Sequence, residues 1–294
     1  MKNQNFGIEI ELTGITRENA AKTMATYFGT RHTYEGGTYD TWTAKDLQGR
    51  TWKAMSDSSI RATLRDGTVT NDIRYRCEIV SPICNYADIE IVQELVRLLR
   101  GQGARANNSC GIHIHINAAP HTAQSLRNLA NIFASREDML VEALGIDAAR
   151  IGHWCKKADQ AFMTKLNASK PTTRDQLKSI WYSGGDESSI HYSQTRYRML
   201  NLHAVFSKGT VEFRCFNSTT HAGEIKAYIQ FCLAVSHQAL TQRSATYKPV
   251  VTDNAKYTFR CWLLRLGLIG DEFKTARLHL MKHLEGNSAW RHAS

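Results

Sequence analysis

Alternation of apolar and polar side chains is the clearest pattern in the chain. Over residues 6–12, Ile8, Ile10 and Leu12 share one parity, and Gly7, Glu9 and Glu11 the other. A period of two predicts a strand. The pattern returns at 111–117, where Ile112, Ile114 and Ile116 alternate with His113, His115 and Asn117. It returns again at 210–216, with Val211, Phe213 and Cys215 against Glu212 and Arg214. A fourth strand is expected over 76–83, carrying Glu78 and stopped by Pro82.

Helical spacing fills much of the rest. Residues 16–29 predict a helix with Thr16 as N-cap and Glu18 in the first turn. Residues 86–102 put Ile89, Val92, Leu95, Val96 and Leu99 on one face, and Gly101 and Gly103 end the run. A long amphipathic pattern covers 121–145 through Leu126, Leu129, Ile132, Phe133, Leu140 and Leu144. Helices are also expected over about 222–242 and 257–285. The segment 35–75 is rich in Gly, Asp, Ser and Thr, with Trp42, Trp52, Val69 and Ile73 spaced along it, and predicts short strands and hairpins. Residues 150–194 are polar and predict mixed helical and irregular structure. The runs 197–206 and 210–216 read as a hairpin turning at Ser207-Lys208-Gly209. No repeat or linker stands out, so 1–294 reads as a single α+β domain, strands interleaved with helices.

Composition excludes more than it assigns. The 294 residues are 42% hydrophobic and 22% charged, and Pro is scarce (4), which argues against disordered and fibrous classes. The apolar run 261–270 is the best candidate for a membrane span, but it is short and interrupted by Arg265. A cytoplasmic protein is expected, with its seven cysteines reduced and mostly buried. Thirty-seven Lys and Arg against 27 Asp and Glu give +10, which suits a polyanionic partner or a merely soluble surface.

The strand charges carry the chemistry. Glu9 and Glu11 are two apart, so their side chains leave the strand on one side. His113 with His115, and Glu212 with Arg214, repeat the arrangement, and Glu78 sits on the fourth strand. One such strand alone reads as a solvated face. Several strands with Glu and His in place of Lys and Thr point instead to compensation by a cation. Carboxylate oxygens with imidazole and no thiolate suit Mg²⁺ or Mn²⁺ better than a structural zinc. His113-x-His115 also occurs in cupin-type metal sites, but the Glu expected a few residues on is replaced by Asn117-Ala118-Ala119-Pro120. There is no P-loop and no convincing Ser–His–Asp or Cys–His nucleophile. Cys110 and Cys215 read as buried thiols. His153, His191 and His203 read as surface or satisfied core histidines. Trp154, Trp181 and Tyr182 read as packing residues, and Lys156-Lys157 as a solvated face.

The segments FGIEIEL, TWKAMSDSSI, CEIVSP, GIHIHIN and TVEFRCFN occur in an order that resembles the amidoligase family. These are carboxylate–amine ligases related to glutamine synthetase and glutamate–cysteine ligase. The resemblance runs from about Phe6 to Leu240. It implies a curved antiparallel sheet with helices on its outer face, in a glutamine-synthetase-like catalytic fold. ATP and Mg²⁺ or Mn²⁺ would lie in a sheet-lined funnel. Carried over residue by residue, it implies metal ligands at Glu9, Glu11, Glu78, His113 and Glu212. Arg214 would neutralise transferring phosphate. Arg196 or Arg198, with Asn201, would hold phosphate or the carboxylate substrate. Asn217 and His115 are candidates for the same pocket, with weaker ones at Asp57 and Ser58. The helical region about 121–194 and the helical C-terminal region about 245–294 have no specific match, and the first of these is where substrate choice is expected.

The implied reaction joins a carboxylate to an amine, such as a peptide or amino acid, through an acyl phosphate. Phosphoryl transfer needs charge neutralisation and positioning more than a nucleophilic side chain. Two other readings stay open from the residues alone. One is a metal-dependent hydrolase or nuclease using the same Glu/His cluster. The other is a non-catalytic basic nucleic-acid-binding module. A polyanionic substrate would reconcile the ligase reading with the charge. Oligomeric state and metal count are not expressed in the sequence.

Overall fold

The computed structural model describes residues 1–290. It is an α+β protein with eight strands in one antiparallel sheet. In chain order the elements are β1 (Phe6–Leu12), α1 (Arg17–Phe28), β2 (His32–Gly36), β3 (Thr41–Lys45), β4 (Thr51–Met55), β5 (Cys77–Val80), α2 (Ile89–Gly101) and β6 (Gly111–Asn117). They continue as α3 (Ala123–Ala134), α4 (Glu137–Leu144), α5 (Ala148–His153), α6 (Gln160–Ser169), α7 (Arg174–Tyr182), β7 (Leu200–Asn201), α8 (His203–Ser207) and β8 (Thr210–Asn217). The last three are α9 (Ala222–Thr241), α10 (Ala255–Arg265) and α11 (Lys274–Leu280). The strand order is β2-β3-β4-β5-β1-β6-β8-β7.

The chain groups into two compact units. The first comprises Asn5–Ile114 with Phe216–Lys226, and the second Met1–Gln4, His115–Cys215 and the chain from Ala227 on. Strands β6 and β8 and helix α9 contribute to both.

In the first unit, β1 pairs with β5 in the register Glu9↔Val80, Ile10↔Ile79, Glu11↔Glu78. Ile8, Ile10 and Leu12 are each 2% exposed, as the alternation requires. Thr16 caps α1 by accepting from Asn19 N. Helix α2 buries Ile89, Val92, Leu95, Val96 and Leu99, the five positions its spacing singles out. The polar 35–75 segment is organised by partly buried ion pairs. Arg17 is 1% exposed, donates to the carbonyls of Ile73 (2.6 Å) and Arg76 (2.9 Å), and pairs with Asp40. Arg50 spans Asp46 and both oxygens of Asp88, and Asp46 also accepts from the indole of Trp52. Backbone approach at Gly14 leaves no room for a side chain. Its φ is +76°, and an added Cβ would lie 2.4 Å from the Gly103 carbonyl.

In the second unit, α9 is apolar nearly all round and therefore buried: Ile229, Phe231, Cys232, Leu233, Ala234 and Val235 are each 0% exposed. His121 is 2% exposed, held between Ser125 Oγ (3.1 Å) and Ser236 Oγ (3.0 Å), and Ser236 donates to Gln4 Oε1. Burial, aided by Arg174, lowers its pKa to about 4, so it is a neutral core group.

Four expectations about element boundaries are corrected. The amphipathic pattern over 121–145 is two helices, α3 and α4. The Ser135 hydroxyl and the Arg136 guanidinium both donate to the Ile132 carbonyl, and Glu137 and Asp138 start the next helix at its positive end. The 257–285 helix is also two, because Gly267 and Gly270 each take φ +85°, which a right-handed helix cannot include. The hairpin expected at Ser207-Lys208-Gly209 is instead the end of α8. Asn201 Oδ1 accepts from His203 N, which turns the chain into a helix after only two residues of β7. Leu200 and Asn201 still pair antiparallel with Phe213 and Glu212. Strand β5 is shorter than expected, ending at Val80.

All seven cysteines are free, and only Cys261 is not fully buried. Among the described residues no helix is long and apolar enough to cross a membrane. The last positions of the expected C-terminal helical region, 291–294, lie outside the described residues.

Candidate functional site

Each unit carries its own cluster of strand-borne charged groups. In the first unit, Glu9 and Glu11 leave β1, Glu78 leaves β5, and His113 leaves β6. Glu11 is 4% exposed, Glu78 8% and His113 5%. The two-residue period puts these groups on the side of each strand opposite the apolar residues. His113 Nδ1 lies 3.1 Å from Glu9 Oε2, and its Nε2 lies 3.8 Å from Glu11 Oε1. The Gly111 N–H donates to Glu11 Oε2 (2.6 Å), which fixes that carboxylate.

Ligand atoms of Glu9, Glu78 and His113 come within 4.8 Å of one another, as do those of Glu11, Asp57 and Glu78. Asp57 follows β4 and also accepts from Ser59 N at 2.7 Å. Glu11 and Glu78 are directly opposed in the β1–β5 register. Like charges facing across a strand pair are destabilising, and desolvation raises the cost. Four carboxylates and one imidazole form an oxygen-rich donor set that fits a hard divalent cation, which would relieve that repulsion. Of the remaining candidates in this unit, Ser58 is exposed and Asn217 is half-buried at the end of β8.

In the second unit, Glu212 and Arg214 leave the same face of β8, at 2% and 4% exposure. Both oxygens of Glu212 are held. Arg214 Nη1 donates to Oε1, and Asn201 Nδ2 donates to Oε2 at 2.6 Å. His115 Nε2 lies 3.8 Å from Glu212 Oε1, and its Nδ1 is 2.9 Å from Thr210 Oγ1. Arg214 also reaches the Trp154 carbonyl (3.4 Å), and its guanidinium lies 5.8 Å from the centre of the Tyr197 ring.

Glu212 opens onto a cavity of about 220 Å³ that Arg196, Lys208, His191, Asn201 and His203 also line, with Ser188 and Ser189. Arg196 is held there by the His191 carbonyl (2.9 Å) and by the rings of Tyr192 and Tyr197. Arg196 and Lys208 give the cavity wall two cations beside hydroxyls, a setting suited to an anion such as phosphate.

Arg198, offered with Arg196 for the same role, goes elsewhere. It donates to the Lys157 carbonyl (2.9 Å), lies 3.6 Å from Asp159, and lines a different cavity. Lys208, Ser188 and Ser189 were not among the sequence candidates. Lys208 reads as a turn residue until α8 is seen, and the serines sit in a polar stretch with no period. His203 does belong to the core, accepting or donating at Tyr182 Oη (2.7 Å), yet it also lines this cavity. Of the aromatics expected to pack, Tyr182 is buried and Trp181 partly so, but Trp154 is 38% exposed.

The model of a family described as "Putative amidoligase enzyme" covers residues 2–236, and so every residue named in both clusters. No curated protein matches the chain.

Proposed function

The chain belongs to the amidoligase family of ligase-type enzymes, and from that premise we propose that it is an ATP-dependent carboxylate–amine ligase making an amide or isopeptide bond. What most supports this is the held pair on β8. Glu212, fixed through both oxygens by Arg214 and Asn201, faces a cavity with Arg196 and Lys208 on its wall.

In the proposed reaction, a substrate carboxylate oxygen attacks the γ-phosphorus of ATP, the bond to the bridging oxygen breaks, and ADP leaves. The amine then attacks the acyl carbon, phosphate departs, and the nitrogen loses a proton. Arg196 and Lys208 bind phosphate oxygens and hold them in line. Arg214 fixes Glu212 through Nη1 and reaches the Trp154 carbonyl through Nε, and its guanidinium charge would neutralise transferring phosphate beside them. Asn201 locks the second oxygen of Glu212, leaving it a single orientation. Glu9, Glu11, Glu78, His113 and Asp57 would hold Mg²⁺ or Mn²⁺, which supplies neutralisation of phosphate charge when bound.

The test needs no knowledge of the natural amine. Hydroxylamine traps acyl phosphates as hydroxamates, so a carboxylate library is screened for ATP- and Mg²⁺-dependent hydroxamate formation. Wild type gives product with at least one carboxylate class. Glu212→Gln and Arg196→Met lose it by a hundredfold or more while staying folded. Cleavage of esters, amides or nucleic acid without ATP, by the same cluster, would replace this reading with a hydrolase or nuclease.

A further inference from the structure

The second unit contains another cavity, of about 260 Å³. Its wall is largely apolar, built from Phe133 of α3, Phe162 of α6, Trp181 of α7, and Leu200 and Leu202 beside β7. Of the charged groups on its wall, Glu137, the first residue of α4, is buried, whereas Asp159 and Lys165 are exposed and Arg198 is half-buried. We propose that this cavity binds a primary amine carried on an apolar or aromatic body, with the ammonium seated on Glu137.

The cavity is separate from that of Glu212. Along β7 the side chains alternate: Leu200 and Leu202 line one cavity, and Asn201 lines the other. The inference therefore holds whether or not the ligase reading does. The two cavities are linked by one hydrogen bond, between Tyr182 Oη on the amine side and His203 Nδ1 on the Glu212 side.

Glu137 is 6% exposed, and its hydrogen-bond donor among the described residues is the Ala158 N–H, at 3.0 and 2.9 Å from the two oxygens. A carboxylate has room for about four such bonds. Burial pushes its pKa up to about 7, against the opposing pull of the Ala158 N–H and Lys157. Asp138 raises it further and Arg198 lowers it. A cation inside the cavity would satisfy the carboxylate and restore its ionised form.

The basic groups nearby do not fill this role. Arg198 is engaged with Asp159 and the Lys157 carbonyl, Lys157 pairs with Asp138, and Lys165 stands at the exposed rim. An anionic ligand would meet the buried carboxyl directly. The volume is at the small end for ligand sites, so the body is about one aromatic ring with a short chain.

The test is calorimetric titration of the full chain at pH 8 with 2-phenylethylamine and its neutral counterpart 2-phenylethanol. The amine saturates one site and binds at least tenfold tighter than the alcohol. Glu137→Gln, close in shape, binds the two equally. Ala130→Phe, which fills the cavity from α3, binds neither. Glu212→Gln keeps the full amine preference. No saturable amine binding overturns the proposal, as does an amine preference that survives Glu137→Gln. Loss of amine binding in folded Glu212→Gln also overturns it, since the amine would then sit in the other cavity. If Ala130→Phe does not fold, the Glu137→Gln comparison decides alone.

Discussion

Glu137 and His121 lie in the same unit and carry opposite linkages to pH over nearly the same range. Glu137 is raised from 4.5 to about 7 by burial. Between those values the folded chain binds more protons than the unfolded one, so its stability falls as pH rises. His121 is lowered from 6.5 to about 4, also by burial. Between those values the unfolded chain binds more protons, so stability rises with pH and is lost as pH falls. Each displacement corresponds to about 3 kcal/mol at 1.36 kcal/mol per pH unit. Both side chains are more than nine-tenths buried, so solvent does little to weaken either effect. From about pH 4.5 to 6.5 the two nearly cancel.

Glu137→Gln removes one side of this balance. The Ala158 N–H still finds a carbonyl oxygen, so the hydrogen bond survives the change. Urea unfolding at half-unit steps from pH 4 to 8 measures the outcome. The stability of Glu137→Gln minus that of wild type is flat below pH 4.5. It climbs by about 3 kcal/mol by pH 7, then levels. Groups that titrate identically in both proteins, including the other carboxylates, drop out of the difference. A difference that stays constant across the range would refute the reasoning, because it would mean that Glu137 ionises in the folded protein as it does in water.

Two further perturbations address the first unit. Arg17→Met leaves the Ile73 and Arg76 carbonyls without their donor, and is expected to cost about 2–4 kcal/mol, read as a lower urea midpoint with faster proteolysis within 35–75. A proteolysis pattern unchanged in that segment would show that Arg17 does not organise it. Glu78→Gln relieves the opposed pair with Glu11, so in EDTA the variant should be more stable than wild type by up to about 1 kcal/mol. Mn²⁺ is expected to raise the thermal stability of wild type and not that of the variant, and a variant stabilised as much as wild type would remove Glu78 from the proposed metal site.

How far the sequence could be read depended on period. Strands β1, β6 and β8 announce themselves because three apolar residues alternate with charged ones, and the same alternation names Glu9, Glu11, His113, His115, Glu212 and Arg214. Helix α2 is equally legible, its five buried positions following from spacing alone. Helix α8 was hidden because the signal that starts it is a side-chain bond, from Asn201 to His203 N, which no local pattern reveals. The breaks after α3 and α10 depend on competition for one carbonyl and on two left-handed glycines, and apolar spacing runs on through both. Arg196 and Arg198 share one parity on an irregular stretch, so sequence could not say which one lines the Glu212 cavity. Arg17 and Glu137 were invisible as buried charges, since each sits at the start of a helix where a charge is ordinarily solvated.

Burial decides between the two meanings a charged strand can have. A strand with one wet face would leave its alternate charges exposed and cheaply hydrated. In β6 and β8 the charged parity is as buried as the apolar one: His113, His115, Glu212 and Arg214 are all below a tenth exposed. A buried carboxylate has to be matched by a donor, a cation or a proton. Glu212 is matched internally, by Arg214 and Asn201. In the other unit Glu11 and Glu78 face each other as like charges, with the His113 imidazole beside Glu9 and Glu11. That imbalance is what a divalent cation would correct. Stability would then depend on metal in the first unit and on side-chain pairing in the second, which is why Glu78→Gln and Glu212→Gln should part company: the first stabilises the metal-free chain, and the second leaves Arg214 without its full partner and destabilises it.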